Sequence, residues 1–352
     1  MNSKGVSGWK RKLLIAVCIV LAVVLVALVA VTAYLESMIG LINFKNPFSN
    51  DETMSASEYQ EYLDQMNTAD PDYSGAIMDE DDVDWGNAGN ISTGENVINI
   101  LLIGQDRRKG EGRARSDSMI LCTINKSAKT ITMISLMRDM YVQIPGYQDN
   151  RINASYAFGG MTLLDACIEK NFGITVDGNV EVDYSGFSGI VDAIGGIEIE
   201  LTASEARYLN QRGNWDFENN AGTWNLTAGV NKLNGSQAFA YSRIRAVGNV
   251  DFGRTERQRK VLDVLLEKAR NMSATELNNL LREFLPLLTT DMTTSEIFGY
   301  ALELIPMLKD LKVNKVQIPA EGAYKMTMIR GMSVLLPDLE ENRKMLEDIM
   351  KD

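Results

Sequence analysis

The run from Leu13 to Leu35 contains no charged residue and almost nothing polar. About 20 such residues span the hydrocarbon core of a bilayer as a helix. Lys4, Lys10, Arg11 and Lys12 precede the run, so the positive-inside rule keeps residues 1–12 in the cytoplasm and places everything after Glu36 outside. A cleaved signal peptide is the competing reading. Its apolar core would be shorter, and no small-residue cleavage site follows Tyr34, so an uncleaved single-pass anchor over residues 13–35 is expected. The rest of the chain must then fold outside the cell membrane, an arrangement compatible with a Gram-positive envelope.

The formal charge of the whole chain is -12. Because the tail's charges are all basic, the exported part is more acidic still. Nucleic acid is excluded as a partner, since binding its backbone requires a broad basic footprint. The chain has no histidine, which removes Ser-His-Asp and Cys-His hydrolysis and histidine-ligated zinc. Carboxylates, hydroxyls and arginines remain as the chemical inventory. Cys18 lies in the apolar run, and Cys122 and Cys167 sit in apolar contexts that read as core. Whether those two pair is left open by the sequence.

Residues 36–95 have few aliphatic positions and an acidic run, Asp79-Glu-Asp-Asp-Val-Asp84, and read as an extracellular tether. The run lacks the alternating ligands and central glycine of a calcium loop, so a solvated spacer is expected. Within the tether, Ser55 to Met66 predicts a short helix with Tyr59, Tyr62, Leu63 and Met66 on one side, a candidate docking element. From Asn96 onward the composition is globular, and 96–352 is long enough for one large domain. Buried-strand patterns fall at Val97 to Ile103, Met119 to Ile124, Thr130 to Leu136, Val180 to Tyr184 and Ile197 to Leu201. Helical patterns cover Met161 to Asn171 and Phe187 to Ile194, the latter stopped by Gly195-Gly196. Thr275 to Lys351 predicts at least three amphipathic helices and a strand near Val313 to Ile318. The expected architecture is α/β, a layered α-β-α domain with a mixed central sheet flanked by helices.

Against the acidic background, Arg243, Arg245, Arg254, Arg257 and Arg259 cluster in one short stretch. Arginine's fixed fork of donors suits phosphate oxygens; the rival reading is a solvated basic face paired with carboxylates. If Arg254 opens a helix capped by Asp251, then Arg254, Arg257 and Gln258 share one face. Arg243 and Arg245 fall on one side if their backbone is extended. Asp106 follows the first strand and Asp117 opens the next, with Arg107, Arg108, Arg113 and Arg115 between. Two carboxylates bracketing a basic loop suit a hard divalent cation shared with phosphate, Mg2+ or alternatively Mn2+. On the plainer reading, the aspartates only neutralise the loop.

The ordered segments Gly104-Gln-Asp106, Arg115-Ser-Asp-Ser-Met119, Ser135-Leu-Met-Arg-Asp139, Arg151-Ile-Asn-Ala-Ser-Tyr156, Val191-Asp-Ala-Ile-Gly-Gly196, Leu233-Asn-Gly-Ser-Gln-Ala238, Tyr241-Ser-Arg-Ile-Arg245 and Asp251-Phe-Gly-Arg-Thr-Glu-Arg-Gln258 together resemble the LytR-CpsA-Psr family. Motifs cover 96–268, and 269–352 is similar to the family's helical continuation. The resemblance implies a phosphotransferase that moves a glycopolymer, of teichoic acid or capsular polysaccharide type, from an undecaprenyl pyrophosphate-linked carrier to peptidoglycan. It implies Asp106 and Asp117 as magnesium ligands. Arg115, Arg138, Arg243, Arg245 and Arg254 would hold the pyrophosphate, with Arg257 as an addition and Asp251 and Gln258 completing the site. The family's lipid tail occupies an apolar channel. Two departures stand out: Leu136-Met137 replaces the usual Ile-Pro, which frees the backbone before Arg138, and Arg151 stands for the usual lysine. A polyprenyl pyrophosphate phosphatase and a non-enzymatic envelope regulator binding prenyl phosphate remain as alternatives.

Overall fold

The computed structural model describes residues 31–45, 53–66, 76–86, 89, 91–105, 115–211, 224–248, 250–304, 307 and 310–351. The expected membrane span lies outside these up to residue 30. Among the described residues no helix is long and apolar enough to cross a membrane. Helix α1 occupies 31–39 and leads into β1 (Asn43–Phe44) and then α2 (Ala56–Met66). The start of α2 is set by a reciprocal cap: the Glu58 amide donates to Ser55 Oγ, and the Ser55 amide donates to the Glu58 carboxylate at 2.9 Å.

The segment read as a tether is docked on the domain along its described residues. β1 adds a strand to the main sheet. The Tyr59 ring sits edge-on to both Tyr147 and Phe158, each at 5.0 Å. The acidic residues Asp79, Glu80, Asp81, Asp82 and Asp84 are exposed, as in a solvated run, while their apolar neighbours anchor the run to the domain. Val83 and Trp85 pack beside Tyr141 and Ile329, and Glu80 lies 3.5 Å from the Arg330 guanidinium.

The next strands are β2 (Val97–Gln105), β3 (Ser116–Asn125) and β4 (Thr130–Leu136), followed by a short ladder of β5 (Tyr141–Val142) and β6 (Asn150–Arg151). Helix α3 spans Ile152–Phe172. It is two helical pieces joined at Gly159 and Gly160, where Gly160 takes a φ of 63°. The second piece therefore starts at Met161, as expected, and the piece from Ile152 before it went unpredicted.

β7 (Gly178–Val182) lies two residues earlier than its pattern, and it ends before Asp183 because Asp183 caps α4 (Tyr184–Ala193), accepting from the Gly186 amide at 2.9 Å. Next come β8 (Ile197–Leu201), α5 (Ala203–Leu209), β9 (Gly229–Leu233), α6 (Gly235–Arg243), α7 (Val250–Arg270) and α8 (Ala274–Phe284). The chain ends with β10 (Leu288–Thr290), α9 (Thr294–Leu304), β11 (Lys312–Ile318), the hairpin β12 (Tyr324–Ile329) and β13 (Met332–Pro337), and α10 (Leu339–Met350).

The central sheet is mixed and seven-stranded, in the order β1-β10-β7-β2-β3-β4-β11. Side chains alternate across it. Leu101, Ile103, Met119, Leu121 and Ile134 join the core that contains Tyr156, Leu164 and Phe172 of α3 and Leu346 of α10. Leu102, Ile120, Val180 and Val182 face the other way and line a cavity. A second core, with Val191, Ile199, Ala240 and Val261, ties α4, α6 and α7 to the small β8–β9 ladder. The domain is thus a mixed α/β sheet flanked by helices, and the chemistry lies on the side of the second core.

Candidate active site

The cavity measures about 360 Å³ and is walled by aliphatic and aromatic side chains, among them Phe187, Ile190, Leu265, Leu280 and Phe284. Polar groups gather where Asp117, Ser118, Gln105, Ser242, Arg243 and Gln258 line it. An apolar chamber with such a rim suits an amphiphile whose head is polar.

Two of the sequence segments work as scaffold. Gly195 and Gly196, with φ of 76° and 84°, end α4 in left-handed conformation. A Cβ on Gly235 would lie 2.2 Å from the Ser188 carbonyl oxygen, so only glycine lets α6 approach α4 this closely. The Gly235 amide also donates to Asp192 at 2.8 Å. Asn234 and Gln237 form a capping box that starts α6. These contacts set where α6 ends, and Arg243 is its last residue.

Arg138 donates to Asp117 across the rim through Nη1, and its Nε donates to Asp139 at 3.3 Å. Arg243 Nη2 stands 3.9 Å from the other Asp117 oxygen, and its guanidinium carbon is 5.3 Å from the centroid of the Phe239 ring. Arg151 approaches Asp139 at 3.6 Å and donates to the Ser333 carbonyl at 2.7 Å. Alternating cations and carboxylates therefore form one chain, Arg243, Asp117, Arg138, Asp139, Arg151. Asp139 and Arg151 were not among the expected site residues. Their signal was present in the segments that carry them, but only the fold shows that these segments meet.

The missing proline before Arg138 is compensated. The Met137 amide, which a proline would lack, donates to the Ile318 carbonyl at 2.8 Å, and the Leu335 amide donates to the Asp139 carbonyl at 3.0 Å. Arg138 is presented on a backbone pinned from both sides.

Helix α7 starts at Val250, so Asp251 lies in its first turn rather than before it as a cap. Arg254 is buried at 3% exposure, and Gln258, one turn on, lines the cavity. Arg257 departs from the expected shared face. It pairs with Glu205 at 2.7 Å and donates to the carbonyls of Ile244 and Val247 at 3.0 and 2.7 Å. The reason is helical geometry. At 3.6 residues per turn Gln258 sits about 40° from Arg254, while Arg257 lies on the opposite flank of it. Arg243 and Arg245 do not share an extended strand either, because Arg243 is helical and Arg245 is exposed beyond the helix end. Arg115 is half-buried directly before β3. Asp106 and the arginines at 107, 108 and 113 lie outside the described residues.

Cys122 and Cys167 are free, and burial pushes both thiols up to about 12. Thiolate is therefore scarce at neutral pH. Iodoacetamide is expected to leave both residues unmodified in the native protein and to label both after denaturation, as read by peptide mass mapping.

An α/β domain built around an apolar chamber, with arginines and a carboxylate at its rim, has the chemistry to hold an amphiphile with an anionic head. The chain is a member of the LytR_cpsA_psr family, whose model matches residues 60–351. It is 31% identical over 228 residues to the polyisoprenyl-teichoic acid–peptidoglycan teichoic acid transferase TagU of Bacillus mycoides (strain KBAB4), covering 64% of this chain and 69% of that protein. Among solved structures it is similar to TagT bound to LIIa-WTA, at 26% identity and a TM-score of 0.57, covering 73% of this chain and 91% of that one. It is likewise similar to TagV of B. subtilis, at 26% identity and a TM-score of 0.58, covering 73% and 98%.

Proposed function

We propose that this protein is a membrane-anchored phosphotransferase that joins a glycopolymer, carried on a polyisoprenyl pyrophosphate, to peptidoglycan outside the cell. The observation that carries this reading is the apolar cavity of about 360 Å³ whose rim holds Asp117, Arg243 and Gln258. The transferase names of the curated relatives support it. In this reading the prenyl chain fills the chamber and the pyrophosphate lies on the rim. Arg138 and Arg243, now sharing Asp117, would turn donors to phosphate oxygens, while Arg254 and Gln258 approach from α7.

An acceptor hydroxyl oxygen attacks the glycan-bearing phosphorus, the bond to the bridging oxygen breaks, and prenyl phosphate leaves. Phosphoryl transfer asks little covalent chemistry of the protein, and positioning with charge stabilisation supplies most of the rate. A site without histidine suffices. Asp117 offers hard oxygen donors at the rim, and Gln105 beside it directly precedes Asp106; this donor chemistry fits Mg2+, with Mn2+ as substitute. Asp117 and Asp106 would hold the cation, which when bound would neutralise charge on the pyrophosphate. Asp251, or Asp117 where it does not hold the cation, would accept the hydroxyl proton.

The test uses the full chain, because the docked segments before residue 96 belong to the fold. Protein in detergent is given a glycan-bearing prenyl pyrophosphate and Mg2+, and release of prenyl phosphate is followed with and without peptidoglycan fragments. Acceptor-dependent turnover lost in Arg254→Ala and Asp117→Ala is expected. Equal prenyl phosphate release without acceptor would make the protein a phosphatase, and tight binding without turnover in either arm would make it a regulator.

A further inference from the structure

A second polar cluster lies behind the cavity and is not explained by binding the pyrophosphate. Glu181, on β7, is only 2% exposed. It points away from the cavity face carried by its neighbours Val180 and Val182. Gln105 and Tyr156, themselves 3% and 0% exposed, donate to its two carboxylate oxygens, and Gln105 also donates to the Tyr156 hydroxyl at 3.1 Å. Lys45 Nζ reaches the same carboxylate at 2.9 Å. A buried carboxylate is costly unless paired and hydrogen-bonded, and the pairing cation here comes from far away in the chain. Lys45 is delivered by the strap after α1. β1 runs parallel to β10, and the Lys45 amide donates to the Thr290 carbonyl at 2.8 Å.

What this cluster holds is the end of β2. The β2–β3 register slips between Gly104 and Gln105, where Gln105 faces Ser116, one residue before Asp117. Ladder bonds alone leave a strand loosely defined at such an irregularity. Side-chain bonds from Gln105 to Glu181 and Tyr156 are placed to define it. Gln105 also lines the cavity rim.

We propose that Lys45 is a positioning residue: through Glu181 and Gln105 it holds the end of β2 at the cavity rim, so that the rim is fully formed only when the juxtamembrane strap is docked on the sheet. The ligand of that rim rests on the function proposed above. The docking itself does not.

The full chain and the variants Lys45→Met, Glu181→Gln and the double variant are compared by octaprenyl pyrophosphate binding and by amide hydrogen exchange. Lys45→Met is expected to weaken binding roughly tenfold, the scale of coupling through a packed polar network. It should also speed exchange at Ile103 to Gln105 while leaving β4 and β11 unchanged. The double variant should recover binding, because the amide that replaces the Glu181 carboxylate has no charge to neutralise and can still bond Gln105. Wild-type binding by Lys45→Met, or an exchange increase spread evenly over the sheet, would overturn the proposal. If Lys45→Met does not fold, tenfold weaker binding by a folded double variant overturns it equally. If the wild type itself ignores the probe, the proposed function falls, and the exchange at the end of β2 alone decides the role of Lys45.

Discussion

Arg138→Ala is expected to lower glycopolymer transfer by about 10² to 10³-fold, the scale seen when one preorganised charge donor is removed from a site of developing negative charge. The side chain is held at both ends of its fork, by Asp117 at Nη1 and by Asp139 at Nε. Its backbone is pinned through Met137 and Asp139. The guanidinium is thus oriented before substrate arrives, and alanine deletes that orientation together with the charge. Stability should change by about 1 kcal/mol or less, because the pair is partly solvated, with side-chain exposures of 16% and 26%. Arg138→Lys keeps the charge and loses the fork, so it should recover only part of the rate. Transfer assays on the two variants, with thermal midpoints measured alongside, check this. An alanine variant that transfers at the wild-type rate would remove Arg138 from the site.

Arg257→Ala should do the reverse, costing about 3 to 5 kcal/mol of stability, as expected when one member of a buried pair is removed. Both side chains of the Arg257–Glu205 pair are 9% exposed, and the variant also strips donors from the carbonyls of Ile244 and Val247. Those carbonyls belong to the turn between α6 and α7, so the helices carrying Arg243 and Arg254 lose their clamp. Burial alone would raise the Glu205 carboxyl, yet hydrogen bonds from Thr202 and Arg257 hold it below its usual value of 4.5. A carboxylate lowered in this way contributes stability that is present above its unfolded pKa and lost as pH falls through the folded one. The gap between wild type and variant should therefore be full at neutral pH and narrow as pH drops below 4.5. Urea unfolding across that range measures it. A gap that widens on acidification would mean that Glu205 is not the partner that matters.

The contrast between these two arginines shows how far the sequence could be read. Both sit in motif segments, both are basic, and spacing placed Arg257 with Arg254 and Gln258. The pairing with Glu205 was invisible because that residue lies on α5, distant in sequence and part of an unrelated capping box with Thr202. The docking of the described parts of residues 36–95 was hidden for a similar reason. Their composition is that of a linker, and the described parts pack on surfaces they do not themselves contain, such as Tyr147 and Phe158 under Tyr59. β10 and the β12–β13 hairpin went unpredicted. The first is three residues long, too short for a periodic pattern to show.

By itself the sequence determined the features that depend on neighbours along the chain. Buried-strand patterns marked β2, β3, β4 and β8, paired glycines marked the end of α4, and ordered motifs marked the family. The same strands, β2 and β3, also showed which residues would be buried. Only the tertiary structure decided which charges meet. It brought Asp117 and Arg243 to one cavity rim and Arg138 onto Asp117, turned Arg257 away, and carried Lys45 to a buried Glu181. The physical reason is range. Backbone periodicity and capping act over a few residues and leave their mark in local spacing, whereas an ion pair is made by whatever the packed sheet and helices bring within a few ångströms.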